Sequence, residues 1–110
     1  MIKFPGGGLE LGEGIGNALD RELMEELGLG ARKKELYFIN EHFQLSAFSS
    51  EDQILSIYYR IDSKDLTSIL PAKDFRRDGI SFSWHSIDRG LESVMCMPID
   101  KQVASKISSE

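Results

Sequence analysis

Glu22, Glu25 and Glu26 stand at positions i, i+3 and i+4 of the segment Arg21-Glu22-Leu23-Met24-Glu25-Glu26-Leu27. On a helix this spacing places three carboxylates at neighbouring points of one surface, where like charges repel. Arg21 or other basic residues can relieve part of that repulsion, and a bound cation would relieve more. Carboxylate oxygens are hard ligands that suit Mg²⁺, Mn²⁺ or Ca²⁺ rather than Zn²⁺. The segment is therefore either an oxygen-ligand set for a divalent cation or a structural acid cluster at a helix edge.

The element that must carry these acids is a helix over Ile15 to Leu27. Ile15, Leu19, Leu23 and Leu27 recur every four residues, and Gly28 stands where a C-terminal cap is wanted. Arg32, Lys33 and Lys34 follow the carbonyl end, where positive charge is favoured. At 3.6 residues per turn, Glu26 projects roughly 20° from Ile15 and Leu19, and Glu22 roughly 20° to the other side of Ile15. Both thus fall in or beside the apolar stripe, while Glu25 lies further round at its edge. Unpaired carboxylates are costly to bury, so Glu22 and Glu26 should be paired or metal-bound. Ahead of the helix, Gly6, Gly7 and Gly8 let the backbone turn tightly and approach a ligand closely. Alone, such a triplet is only a flexible turn.

Together these residues resemble the signature of the Nudix hydrolase family. Gly7, Glu13, Arg21, Glu22, Leu23, Glu25, Glu26, Gly28 and Leu29 fill the family's box with every spacing intact. Phe4-Pro5-Gly6 and Leu9-Glu10-Leu11-Gly12-Glu13 also look like the family's approach to that box. The resemblance implies an α/β (α+β) fold, an α/β/α sandwich with a mixed sheet. It implies a loop-helix-loop site in which Glu22, Glu25 and Glu26 hold Mg²⁺ (or Mn²⁺) with the carbonyl of Gly6. Arg21 would orient a box glutamate and Glu13 would support the loop. The implied reaction is attack of water on a nucleoside diphosphate linked to another moiety. Such phosphoryl chemistry needs charge neutralisation and positioning more than covalent help, and a base to take the water's proton. Asp78, six residues before Trp84, is the first candidate. Glu51 is second, and Glu26 itself could serve. A turn residue before Gly79 is the competing reading of Asp78. A Nudix-fold module that binds nucleotide and turns it over weakly or not at all is the alternative reading of the whole chain.

The remaining sequence frames that site. The chain has 110 residues, a net charge of −5 and one cysteine, Cys96. This describes a single domain over residues 1–110 with no internal disulfide, as expected in a reducing cytoplasm. The acidic balance argues against nucleic-acid polymers, and no apolar run is long enough to span a membrane. The expected partner is a small nucleotide or nucleoside diphosphate derivative.

Short extended segments are predicted at Met1 to Phe4 and Leu9 to Leu11, and a loop at Gly12 to Gly14. Strands are predicted over Glu35 to Leu45 and Gln53 to Ile61, with a polar loop at Ser46 to Asp52. Asp62 to Gly79 reads as irregular, Ile80 to Ile87 as a strand, and Ile99, Val103 and Ile107 as a terminal helix after Pro98. Phe43, Tyr58, Tyr59 and Trp84 read as core rather than as base-stacking platforms. Arg76 and Arg77, between Asp74 and Asp78, read as solvated, and His42 and His85 as structural. Family domains carry further strands ahead of the box, whereas six residues precede it here. A truncated sheet with an exposed edge is therefore expected, and with it a homodimer paired through that edge.

Overall fold

The computed structural model describes residues 2–30, 33–62, 66 and 69–110. Met1, Arg32 and part of the segment expected to be irregular (63–65, 67 and 68) lie outside the described residues. Helix α1 spans Ile15–Leu27 and is followed by strands β1 (Lys34–Ile39), β2 (Ile57–Ile61), β3 (Phe75–Arg77) and β4 (Ile80–Phe82). Two helices close the chain, α2 (Leu91–Val94) and α3 (Pro98–Ser108). No helix among the described residues is long and apolar enough to cross a membrane.

The mixed helix-and-strand class expected from sequence is the one observed. Among the described residues, however, the strands form two antiparallel pairs, β1 with β2 and β3 with β4, in place of one mixed sheet. Each pair joins strands that follow one another in the chain, and antiparallel neighbours need no crossover. The β1–β2 ladder carries a bulge between Leu36 and Phe38, where Tyr37 is the extra residue.

Both long strand predictions ran too far. Regular pairing ends at Ile39 and starts again at Ile57. Between them the hairpin continues only through Asn40 N–H to Ser56 O, Ile54 N–H to Gln44 O and a Leu45–Gln53 bridge. The Ser46 N–H bonds to Asp52 O and closes the expected loop. Phe43 sits in this irregular stretch and is 73% exposed, so it is not core. Leu9 to Leu11 forms no strand; Leu9 and Leu11 are exposed, with no apolar face to cover them. The strand predicted over Ile80 to Ile87 stops at Phe82, and Trp84 instead donates its indole N–H to Pro71 O.

The C-terminal helix follows its pattern. Pro98 occupies the first turn, where a missing N–H costs nothing. Ile99, Val103 and Ala104 face inward, and Ala104 packs with Leu91 and Met95 against Phe4 and Ile107. Phe4 meets the ring of Tyr58 edge-on, as does Phe38. This packing matters for the site because Phe4 immediately precedes the glycines of the box. A backbone bond from the Cys96 N–H to Ile2 O fixes the same segment to the chain ahead of α3.

One buried acid is tied into this layer. Asp100 is only 6% exposed and accepts a hydrogen bond of 2.6 Å from the Tyr58 hydroxyl. Burial, together with this bond to a carboxylate, pushes the Tyr58 pKa well above its ordinary value. Tyr58→Phe should therefore cost about 1–3 kcal/mol of stability in urea unfolding, because it strips a partner from a buried carboxylate. An unchanged midpoint would show that the β2–α3 bond contributes nothing.

Candidate active site

The acidic helix forms with the predicted bounds. Leu23 is buried and Leu27 half-buried on its inner face. Gly28 ends it in the left-handed region at φ 69°, its N–H bonding to Met24 O while the Leu29 N–H bonds to Leu23 O. A glycine reaches that conformation without the penalty a Cβ would bring. Leu29 then turns into the interior.

Arg21 connects the helix to the loop before it. Its Nη2 donates to Glu13 Oε1 at 2.7 Å and its Nε to Glu13 Oε2 at 3.1 Å, a bidentate pairing. Nη2 also reaches the carbonyl of Gly8 at 2.9 Å. On the other side, Nη1 lies 2.8 Å from Glu22 Oε1 and 3.3 Å from Glu25 Oε2. The Arg21 hydrogen bond holds Glu13 below the usual carboxylate range, and the Glu13 bond raises Arg21 further. The sequence expectation placed Arg21 beside a box glutamate; the structure places it against three, Glu13, Glu22 and Glu25, and Glu10, outside the box, also approaches at 3.7 Å.

The three box acids sit differently. The Glu22 side chain is 15% exposed and lies directly over Gly7. A Cβ on Gly7 would fall 2.1 Å from Glu22 Oε1, so any larger residue there would oblige the Glu22 carboxylate to move. Glu25 is 58% exposed, as its angular position suggested. Glu26 is half-buried and faces the backbone N–H of Gly6. Burial raises its pKa above the ordinary value and the neighbouring Glu22 charge raises it further, against a partial offset from the Gly6 N–H and Lys3. Glu22 and Glu25 lean toward Arg21 while Glu26 turns to Gly6. Among the described residues, no three acidic, histidine or cysteine side chains accordingly close around one point. The donor set itself is all oxygen and carries mutual repulsion at Glu22 and Glu26, which fits a hard divalent cation.

The structure does not bring the base candidates to these acids by hydrogen bond. Asp78 is the first residue of a two-residue turn between β3 and β4, with φ 51°, followed by Gly79 at φ 81°. Positive φ at both positions is the geometry of a tight hairpin, and Asp-Gly is its strongest sequence signal. That signal identifies β3, which lay hidden in the segment read as irregular. Glu51 is exposed in the loop beyond β1, its N–H on Ser49 Oγ. Both arginines read as solvated are exposed; Arg76 donates to Gly79 O, and the Arg77 guanidinium lies against Gly28 at the end of α1, a contact that local spacing does not reveal.

The site is thus a glycine-led loop locked by arginine to an acidic helix on an α+β domain. The chain belongs to the Nudix family: the model for the NUDIX domain matches residues 1–101. Nudix hydrolases generally use divalent metal ions. The chain is similar to an 8-oxo-dGTP diphosphatase of Haemophilus influenzae, with 34% identity over 92 residues. That alignment covers 81% of this chain and 60% of the relative. No solved structure matches the chain significantly.

The raised pKa of Glu26 has a consequence for stability without divalent ions. Below its unfolded value the carboxyl is neutral in both states. As pH rises, the unfolded chain ionises first, so stability falls until the folded pKa is passed. Glu26→Gln should therefore match the unsubstituted protein in thermal stability at pH 4 and exceed it at pH 7, both in EDTA. Equal melting temperatures at both values would remove the buried-charge description.

Proposed function

We propose that this chain is a metal-dependent hydrolase of a pyrophosphate bond in a nucleoside diphosphate linked to another moiety. The observation that carries the reading is the seating of Glu22 on Gly7 beside a half-buried Glu26. It sets two carboxylates of one helix side by side at the glycine turn, a repulsion that a bound cation would relieve. Glu22, Glu25 and Glu26 would hold Mg²⁺, or Mn²⁺, with the Gly6 carbonyl. The bound cation supplies neutralisation of the pyrophosphate oxygens and activation of the attacking water. Arg21 fixes the directions of Glu22 and Glu25 and keeps the Gly8 carbonyl and Glu13 in register with them. Asp78 is the proposed proton acceptor, on the two-residue turn between β3 and β4, with Glu26 as the alternative. The name of the Haemophilus relative makes nucleoside triphosphates, 8-oxo-dGTP among them, the first substrates to test.

A second reading draws on the grip of Arg21 on both Glu22 and Glu25, which leaves no three acids converged among the described residues. In that reading the chain binds nucleotide without efficient turnover. Product release from nucleoside triphosphates, dinucleoside polyphosphates and nucleotide sugars with Mg²⁺ separates the two. The hydrolase reading expects turnover that Glu26→Gln abolishes and Asp78→Asn slows about 10²-fold. Saturable binding with no turnover of any of them would establish the second reading instead.

Association is a separate proposal. Among the described residues β1 and β2 pair only with each other, so each leaves an outer edge open. Pairing of two copies along one such edge would give a homodimer. Sedimentation at micromolar concentration should show twice the chain mass; a monomer would exclude it.

A further inference from the structure

Arg77 ends β3, and the next residue is Asp78. Its guanidinium lies over the bare Cα of Gly28: a Cβ built there would stand 2.6 Å from Nη2, 2.7 Å from Cζ and 2.9 Å from Nη1. Three such similar distances mean that the flat face of the group, not its edge, covers the glycine. A planar, delocalised cation can pack in this way, whereas an ammonium cannot. Its location at the carbonyl end of α1 is also where positive charge is favoured.

The turn attached to Arg77 has little freedom of its own. Arg77 pairs with Ile80 across the hairpin, and Arg76 Nη2 bonds to Gly79 O across the turn. Asp78 and Gly79 are both fixed in the left-handed region. Wherever Arg77 is seated, Asp78 therefore follows. The seat itself lies two and three residues beyond Glu26 and Glu25 in the chain.

We propose that Arg77 is a positioning residue, which by packing on Gly28 docks the Asp78 turn against the end of the acidic helix. The inference rests on the reading of Asp78 as proton acceptor. It gives Gly28 a second role beyond its backbone conformation, as a receptor for the guanidinium.

Two cycles test it. In thermal unfolding, Gly28→Ala should lower Tm by about 4–8 °C and by clearly less in an Arg77→Ala background, where only the backbone strain remains. An equal drop in both backgrounds would show that Arg77 is not seated there. In turnover, Arg77→Ala should lower kcat roughly 10–100-fold with KM little changed, and should add nothing to the loss in Asp78→Asn. Arg77→Lys should recover only part of kcat. A raised KM with kcat kept would make Arg77 a substrate-phosphate ligand and overturn the proposal. Losses that multiply in the double variant, or full rescue by lysine, would overturn it as well. Absence of turnover in the unsubstituted protein would remove the hydrolase reading and the positioning role with it, while the stability cycle still reports the seat.

Discussion

The arrangement depends first on one part-buried guanidinium. Arg21 grips the loop through Glu13 and the Gly8 carbonyl, and the helix through Glu22 and Glu25. A single exposed ion pair would contribute little, because water screens it and two long side chains lose freedom in making it. Arg21 differs in that its three nitrogens are distributed over several acceptors at once, two of which, Glu13 and Glu22, are shielded. Without it the acids of α1 would repel one another, and nothing in their own spacing would hold the glycine segment over them.

That constraint sets what the backbone must tolerate. The loop passes so close to Glu22 that a side chain on Gly7 would displace its carboxylate. At the other end, the helix must stop sharply enough for Leu29 to enter the core, and Gly28 does this in a conformation other residues resist. The hydrophobic layer acts on the same segment from behind, where Phe4 packs against Tyr58 and the Leu91–Met95–Ala104 cluster. Fold and site therefore meet within the four residues from Phe4 to Gly7. A change in the core beneath Phe4 is also a change in the position of the carboxylates' neighbour.

How much of this was legible in the sequence follows from the range of each interaction. The helix, its cap and the exposed character of Glu25 were readable, because a 3.6-residue period and a glycine stop are local features. The terminal helix after Pro98 was readable for the same reason. Strand ends were not: Phe43 and Leu45 have strand-like side chains, but pairing beyond Ile39 is reduced to isolated bonds and the Leu45–Gln53 bridge. Asp78-Gly79 carried a usable hairpin signal that the charge pattern around it obscured. The contact of Arg77 with Gly28 joins residues 49 positions apart and leaves no trace in spacing.

The account turns on whether the charge concentrated on α1 is a cation site. Mn²⁺ binding followed by electron paramagnetic resonance reports this without reference to any substrate. The unsubstituted protein should take up Mn²⁺ saturably, competitively with Mg²⁺. Glu26→Gln should weaken that uptake at least tenfold, and Gly7→Ala should do likewise by displacing Glu22. Mn²⁺ uptake of equal strength in all three proteins would contradict the account.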